Sequence, residues 1–144
     1  MRLALTRRGD YAVRAALALA DAGEHRLSAG AIADRMRIPT SFVSQVMADL
    51  SRAGVASAVK GRGGGYRLAR PAADVTLLDA IQASEDDRRQ RTCVLRGSPC
   101  DARGRCAVHD TFVKGEDAVL RVLRQTTLAD IVDGKDGDSI GERG

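Results

Sequence analysis

The sequence predicts a mainly α-helical fold with a small β-hairpin wing: a winged helix-turn-helix followed by a long dimerisation helix. Three observations lead there. Residues 28–71 read in order as a short helix, a proline break, a second helix and a glycine-tipped basic hairpin. Positive charge is concentrated in that half of the chain. Residues 107–125 then carry Val108, Phe112, Val119 and Leu123 at helical spacing with no obvious partner inside the chain.

The elements follow in order. Residues 1–6 are a short lead-in, with a strand paired to the wing as one option. Residues 7–22 form a helix with Tyr11, Ala12, Ala15 and Leu19 as its apolar stripe, and its alanines allow close packing. Asp10 falls in the first turn, where the ordinary role of an acid is to meet the helix dipole, worth under about 1 kcal/mol. Residues 22–26 are a loop with a solvated His25. Ser28 caps the next helix, which buries Ile32 and Met36. Pro39 ends it, because proline lacks an amide hydrogen and disfavours helix at Ile38. The second helix, from residue 40, turns Phe42, Val43, Val46, Met47 and Leu50 inward. Thr40, Ser41, Ser44, Gln45 and Asp49 fall mainly outside that stripe. Hydroxyls and an amide at the start of such a helix suit base edges and phosphates. Gly54 stops it.

Residues 55–59 form the first strand, with Val55, Ser57 and Val59 on one face. The run Gly61, Arg62, Gly63, Gly64, Gly65 suits a tight turn with positive φ. A return strand ends at Pro71. Lys60, Arg62, Arg67 and Arg70 crowd the turn, where cations would neutralise phosphate or enter a minor groove. After a linker, a helix buries Leu77, Leu78 and Ile81, with Thr76 as its cap. Residues 85–91 are a charge run that reads as a solvated connection. Residues 128–132 form a short helix or a helical turn.

Composition agrees. Of 144 residues 44% are hydrophobic but only 3% aromatic, and Trp is absent, so the core is built from Ala, Val, Leu and Ile. So small a core gains from a second subunit. The scarcity of aromatics argues against a stacking platform for single strands or RNA. Residues 1–71 hold 12 Lys and Arg against 5 Asp and Glu, and residues 72–144 hold 11 against 14, so +7 and −3 make up the net +4. Attraction to a polyanion therefore belongs to the first half. No apolar run approaches membrane-spanning length and no signal-peptide pattern opens the chain, so a cytoplasmic protein without membrane contact is expected.

Three cysteines are too few and too odd for a disulfide framework. Cys93, Cys100 and Cys106 are spaced C-x6-C-x5-C, unlike the paired knuckles of structural zinc or the thioredoxin motif. Glycine and proline between them let the segment curl around an iron–sulfur cluster, which thiolates hold. His109 follows Cys106 by three residues, and Arg91, Arg96, Arg103 and Arg105 favour thiolates. Spacing alone leaves cluster, zinc and metal-free thiols open. An enzyme is not expected. The third glycine of a dinucleotide fingerprint would fall on Tyr66, there is no P-loop, and two histidines give no triad. A thiol-redox enzyme with Cys93 or Cys100 as nucleophile is the remote alternative, and an architectural DNA binder without a sensor is another.

The chain up to about residue 133 resembles the winged-helix iron–sulfur regulators that include IscR, NsrR and RirA. MRL at the start, GDYAVRA, IPTSFVSQVMADLSRAG, VKGRGGGYRLARP, TLLDAI, the three cysteines and TLADIV match in order. The resemblance implies a homodimer that binds a pseudo-palindromic site on double-stranded DNA and reports cluster state to its DNA-binding heads. Ser41, Ser44 and Gln45 match base-facing positions, with Thr40 beside them. Lys60 and the turn of Gly63, Gly64 and Gly65 match the wing contact, with Arg62 between. Ser44 departs from the acidic residue of IscR, which puts a shared operator in doubt. The first cysteine gap is one residue longer than in IscR and NsrR, so a four-iron and a two-iron cluster both stay open. Cys93, Cys100 and Cys106 are the implied cluster ligands. For a fourth the resemblance offers Asp10, supplied across the dimer as in NsrR, or His109, as in IscR. Asp10 is favoured, for its reach between subunits.

Residues 1–74 are thus read as the DNA-binding domain, 75–133 as the cysteine-loop and dimerisation region, and 134–144 as a disordered tail. The expected function is a transcriptional repressor whose operator affinity follows an iron–sulfur cluster responding to iron, redox state or nitric oxide. A thiol-based or cluster-free regulator of the same fold is the alternative.

Overall fold

A computed structural model describes residues 3–85, 95 and 104–134. The elements run α1 (Arg7–Ala22), α2 (Ala29–Met36), α3 (Thr40–Arg52), β1 (Ala56–Val59), β2 (Gly65–Leu68), a 3-10 turn (Ala72–Asp74), α4 (Leu77–Ser84), α5 (His109–Gln125) and α6 (Leu128–Asp133). The expected order of a helix-turn-helix, a wing and a long later helix is present.

Helix α1 is the centre of the molecule. Thr6 caps it by accepting the Gly9 N–H at 3.0 Å. Its buried surface is wider than the single stripe expected: residues 15–20 are all buried. The reason is that α2, α3, α4, α6 and β2 all pack against it, and alanine leaves room for each. Ser28 caps α2 as expected, accepting the Ala31 N–H at 3.1 Å, and Ile32 and Met36 are fully buried. The chain turns at Arg37, which is left-handed with φ 52°, and Pro39 precedes the first residue of α3. Gly54, at φ 75°, ends α3 as its position suggested.

The wing is a two-stranded antiparallel hairpin in the register Ala56↔Leu68 to Val59↔Gly65. The lead-in does not join it. Residues 3–6 form no strand, because Thr6 is committed to α1 and its N–H donates to Glu85 Oε1 at 2.7 Å. Leu27 takes the place beside the hairpin, exchanging two hydrogen bonds with Tyr66 at 2.9 and 2.8 Å. The expected face of Val55, Ser57 and Val59 is not a buried one: Val55 precedes the strand and is buried with Ala56, while Ser57 and Val59 are half-buried. Glu85 is likewise no solvated linker residue, since its side chain lies over Gly9 and accepts from Thr6.

Beyond the wing, α4 and α6 start side by side. Thr76 with Asp79, and Thr127 with Asp130, each form a reciprocal capping box. Thr76 and Thr127 pair as a bridge flanked by Leu77 N–H to Thr126 O at 2.8 Å and Leu128 N–H to Val75 O at 2.9 Å. Val75, Ala80 and Leu128 join the same core as α1. Helix α5 begins at His109, two residues later than expected, and has no fully buried residue; Phe112 is 39% and Val122 61% exposed. Among the described residues no helix is long and apolar enough to cross a membrane. Of the expected tail, residues 134–144, Gly134 instead caps α6 by donating to Asp130 O at 3.0 Å, and the rest lies outside the described residues.

Candidate functional site

The start of α3 presents Thr40, Ser41, Ser44 and Gln45 to solvent, all exposed, while Val43, Val46, Met47 and Leu50 anchor the opposite face in the core. Phe42 is half-buried and meets the Tyr11 ring edge-on, with centroids 5.4 Å apart, which ties the first turn of α3 to α1. The N-cap is Pro39 and no side chain caps the first amides. The exposed side chains at this helix start are therefore open to an external partner.

The wing turn presents Lys60 and Arg62, both exposed and neither engaged in an ion pair among the described residues. Gly64 closes the turn by donating to Gly61 O at 2.9 Å. Glycine is obligatory at two points. A Cβ on Gly64 would lie 2.4 Å from Val59 O, and one on Gly65, whose φ is 145°, would lie 2.6 Å from Leu27 O. Arg26 steadies the tip by donating from Nη1 to Gly63 O at 3.2 Å. Arg67 is exposed on β2. Arg70 does not belong to the turn as expected: it donates to Asp74 O at 2.8 Å and sits 3.5 Å from Asp79, bracing the base of the wing instead.

The inner face of α3 holds a charge that spacing had placed outside. Asp49 is 2% exposed, gripped by Arg8 at 2.7 and 2.8 Å and by the Ser84 hydroxyl at 2.9 Å. Burial pushes its carboxyl upward, but the Arg8 and Ser84 hydrogen bonds and the Arg8 and Arg52 charges outweigh burial and hold it below the usual value. The same bond to Asp49 raises Arg8. A signal for Asp49 existed in the sequence: Phe42, Val46 and Asp49 follow one another at four and three residues, along one line of the helix. Its partners lie 41 and 35 residues away, beyond any local pattern.

The candidate cluster ligands are only partly within view. Cys93 and Cys100 lie outside the described residues. Cys106 is half-buried just before α5, and the backbone N–H of the half-buried His109 donates to its carbonyl at 3.1 Å. Arg105 pairs with Asp110 at 3.2 Å. Asp10 is paired at both oxygens with Arg14, at 3.1 and 3.0 Å. It opens onto a cleft of about 460 Å³ lined also by Leu5, Arg7, Tyr11 and Arg37. Among the described residues no group of three His, Cys, Asp or Glu side chains comes together to hold a metal. Cys106 and His109 stand three residues apart, and thiolate and imidazole are donor types that a cluster iron accepts, so the chemistry of these two residues suits such a group.

Comparison with known proteins locates the chain. Residues 5–134 match the Rrf2 family model, described as iron-dependent transcriptional regulator. The regulator NsrR of Shouchella clausii is 31% identical over 137 residues, covering 89% of this chain and 87% of its own. The structure of T. potens IscR superposes with a TM-score of 0.76 at 27% identity, covering 93% of this chain and 90% of that one. CymR, the global cysteine regulator of B. subtilis, gives a TM-score of 0.76 at 25% identity, covering 94% of this chain and 100% of that one. These relatives are transcriptional regulators and not enzymes. With an exposed recognition helix and a basic wing on one scaffold, the chain belongs to the Rrf2 family of iron-dependent transcriptional regulators.

Proposed function

We propose that this protein is a homodimeric regulator, acting chiefly as a repressor, that binds a pseudo-palindromic operator and changes affinity with the state of an iron–sulfur cluster. The observation that carries the DNA half is the pairing of an exposed polar helix start with a basic, glycine-closed wing. Gln45, Ser41 and Ser44 read base edges, with Thr40 beside them. Lys60 and Arg62 neutralise phosphate. The exposed apolar residues of α5 support it as the dimer helix, so that two heads meet half-sites about one helical turn or a multiple apart. Gln45→Ala and Ser41→Ala relax sequence preference by about 1–3 kcal/mol at the contacted base. Lys60→Ala and Arg62→Ala weaken binding to every sequence and flatten its salt dependence. Equal losses on specific and random DNA for both sets would remove the assignment.

Cys93, Cys100 and Cys106 hold the cluster in this reading. A bound cluster supplies an iron centre sensitive to oxidants, iron supply or nitric oxide. Asp10 is the fourth ligand, reaching across the dimer. Its exposure at the cleft supports that role, which requires one of its oxygens to leave Arg14 for iron. Visible spectra of anaerobically purified Asp10→Ala and His109→Ala decide the matter. An unchanged spectrum and cluster lifetime in the first variant, with both altered in the second, transfers the role to His109. A thiol-based, cluster-free regulator is the second reading, favoured by the engagement of both Asp10 oxygens with Arg14. Iron and sulfide below one equivalent per chain after anaerobic purification would select it.

A further inference from the structure

Three helices meet on one buried carboxylate. Asp49 lies on the inner face of α3, one turn after Gln45. Arg8 of α1 grips it through Nε and Nη2, the last residue of α4, Ser84, donates to Oδ2, and Arg52 approaches Oδ1 at 3.4 Å. A carboxylate offers about four acceptor positions, so these donors nearly fill it. An apolar residue at this place would pack at no desolvation cost, and the ion pair, with Arg8 41% exposed, contributes little net stability. What directional bonds add is a single permitted arrangement of α1, α3 and α4.

We propose that Asp49 is a positioning residue for DNA reading: held between Arg8 and Ser84, it sets the rotation and tilt of α3 beneath Ser41 and Gln45 while touching no DNA itself. A small rotation of α3 moves the tips of its exposed side chains by more than a hydrogen bond tolerates, whereas phosphate attraction at the wing hardly notices it. The clamp therefore governs discrimination between sequences more than total affinity. Ser84 also closes α4, and in sequence it precedes Cys93 by nine residues. The inference rests on the DNA-binding reading above.

The test uses the full-length protein with an operator duplex and a random duplex of equal length, both titrated by fluorescence anisotropy at one salt concentration. Asp49→Asn is expected to lose about tenfold on the operator and less than about twofold on random DNA. Ser84→Ala, which leaves the Arg8 pair intact, moves the ratio the same way by less, and Ser84→Thr, which keeps the hydroxyl, restores it. Hydrogen exchange in α3 rises in the alanine variant and not in the threonine variant. If Asp49→Asn does not fold, the two Ser84 variants decide. An operator-to-random ratio that stays at the wild-type value in folded Ser84→Ala and Arg8→Gln overturns the proposal. So does a ratio that falls no further than in a core variant of equal stability loss. Wild-type protein that binds neither duplex would instead sink the DNA-binding reading itself.

Discussion

Replacing Gly64 with Ala should disable the wing while sparing the fold. The added Cβ would stand 2.4 Å from Val59 O and 2.7 Å from Gly61 O, where ordinary contact begins near 3.4 Å. Both obstacles are backbone oxygens, so no side-chain rotation relieves them, and the turn has to open. Overpacking of this kind costs about 1–3 kcal/mol. The Gly64–Gly61 hydrogen bond and the terminal Val59↔Gly65 pair go first. Little of the core is lost, because Ala56 is the one fully buried residue of the two strands. At about 3–5 °C per kcal/mol, the melting temperature should therefore fall by about 3–15 °C without loss of the fold. If Lys60 and Arg62 each neutralise one phosphate, displacing both reduces the slope of log affinity against log salt by up to about 1.8. Anisotropy titrations across a salt series, on operator and random DNA, measure it. Gly63→Ala is the control: its Cβ meets open space, and only the left-handed φ of 70° is penalised, at about 1–2 kcal/mol. Wild-type affinity and slope in Gly64→Ala would refute the placement of the wing at DNA.

Other outcomes follow from the same geometry. Asp49 is lowered in the folded state, so its contribution is present above its unfolded value, near 3.8, and is lost as pH falls through the folded value. The difference in urea midpoint between wild type and Asp49→Asn should thus be full at pH 7 and close progressively below about pH 4; a constant difference down to acid pH contradicts the clamp. Leu128→Ala empties a fully buried site shared with α1 and should cost about 2–5 kcal/mol, lowering the melting temperature by about 10 °C. A shift of a degree or two would mean that α6 is not part of the central core. Gly30→Ala meets nothing closer than Ser28 Oγ at 3.9 Å, and should raise stability by about 0.5–1 kcal/mol in a denaturant titration without changing DNA affinity.

Much of the DNA-reading half was legible because its signals are local. Ser28, Pro39, Gly54 and Thr76 act within four residues of themselves, and each stands where its chemistry placed it. What was not legible depends on distant partners. Arg70 carries the same charge as Arg62, and only the nearness of Asp74 and Asp79 turns it into a brace. The line of Phe42, Val46 and Asp49 hints that Asp49 turns inward, but the groups that hold it there, Arg8 and Ser84, come from other helices. The lead-in had the β-forming look of a third strand, but capping α1 and bonding Glu85 occupied Thr6, and Leu27 paired with Tyr66 instead. Arg37 adopts a left-handed turn that glycine would have announced. The spacing of the three cysteines left cluster, zinc and free thiols open, and only the family resemblance turned them into a proposed sensor, whereas the choice between Asp10 and His109 turns on a second subunit.

The central claim is that cluster state sets operator affinity, and one measurement addresses it most directly. The protein is purified anaerobically, its iron and sulfide are quantified, and the iron-loaded and iron-stripped forms are titrated against operator and random duplexes over a range of salt. A sensor must bind the operator with different affinity in its two states. A difference of about tenfold or more on the operator is expected, with a much smaller one on random DNA. Equal operator affinity of the two forms at every salt concentration would contradict it, even with a cluster present.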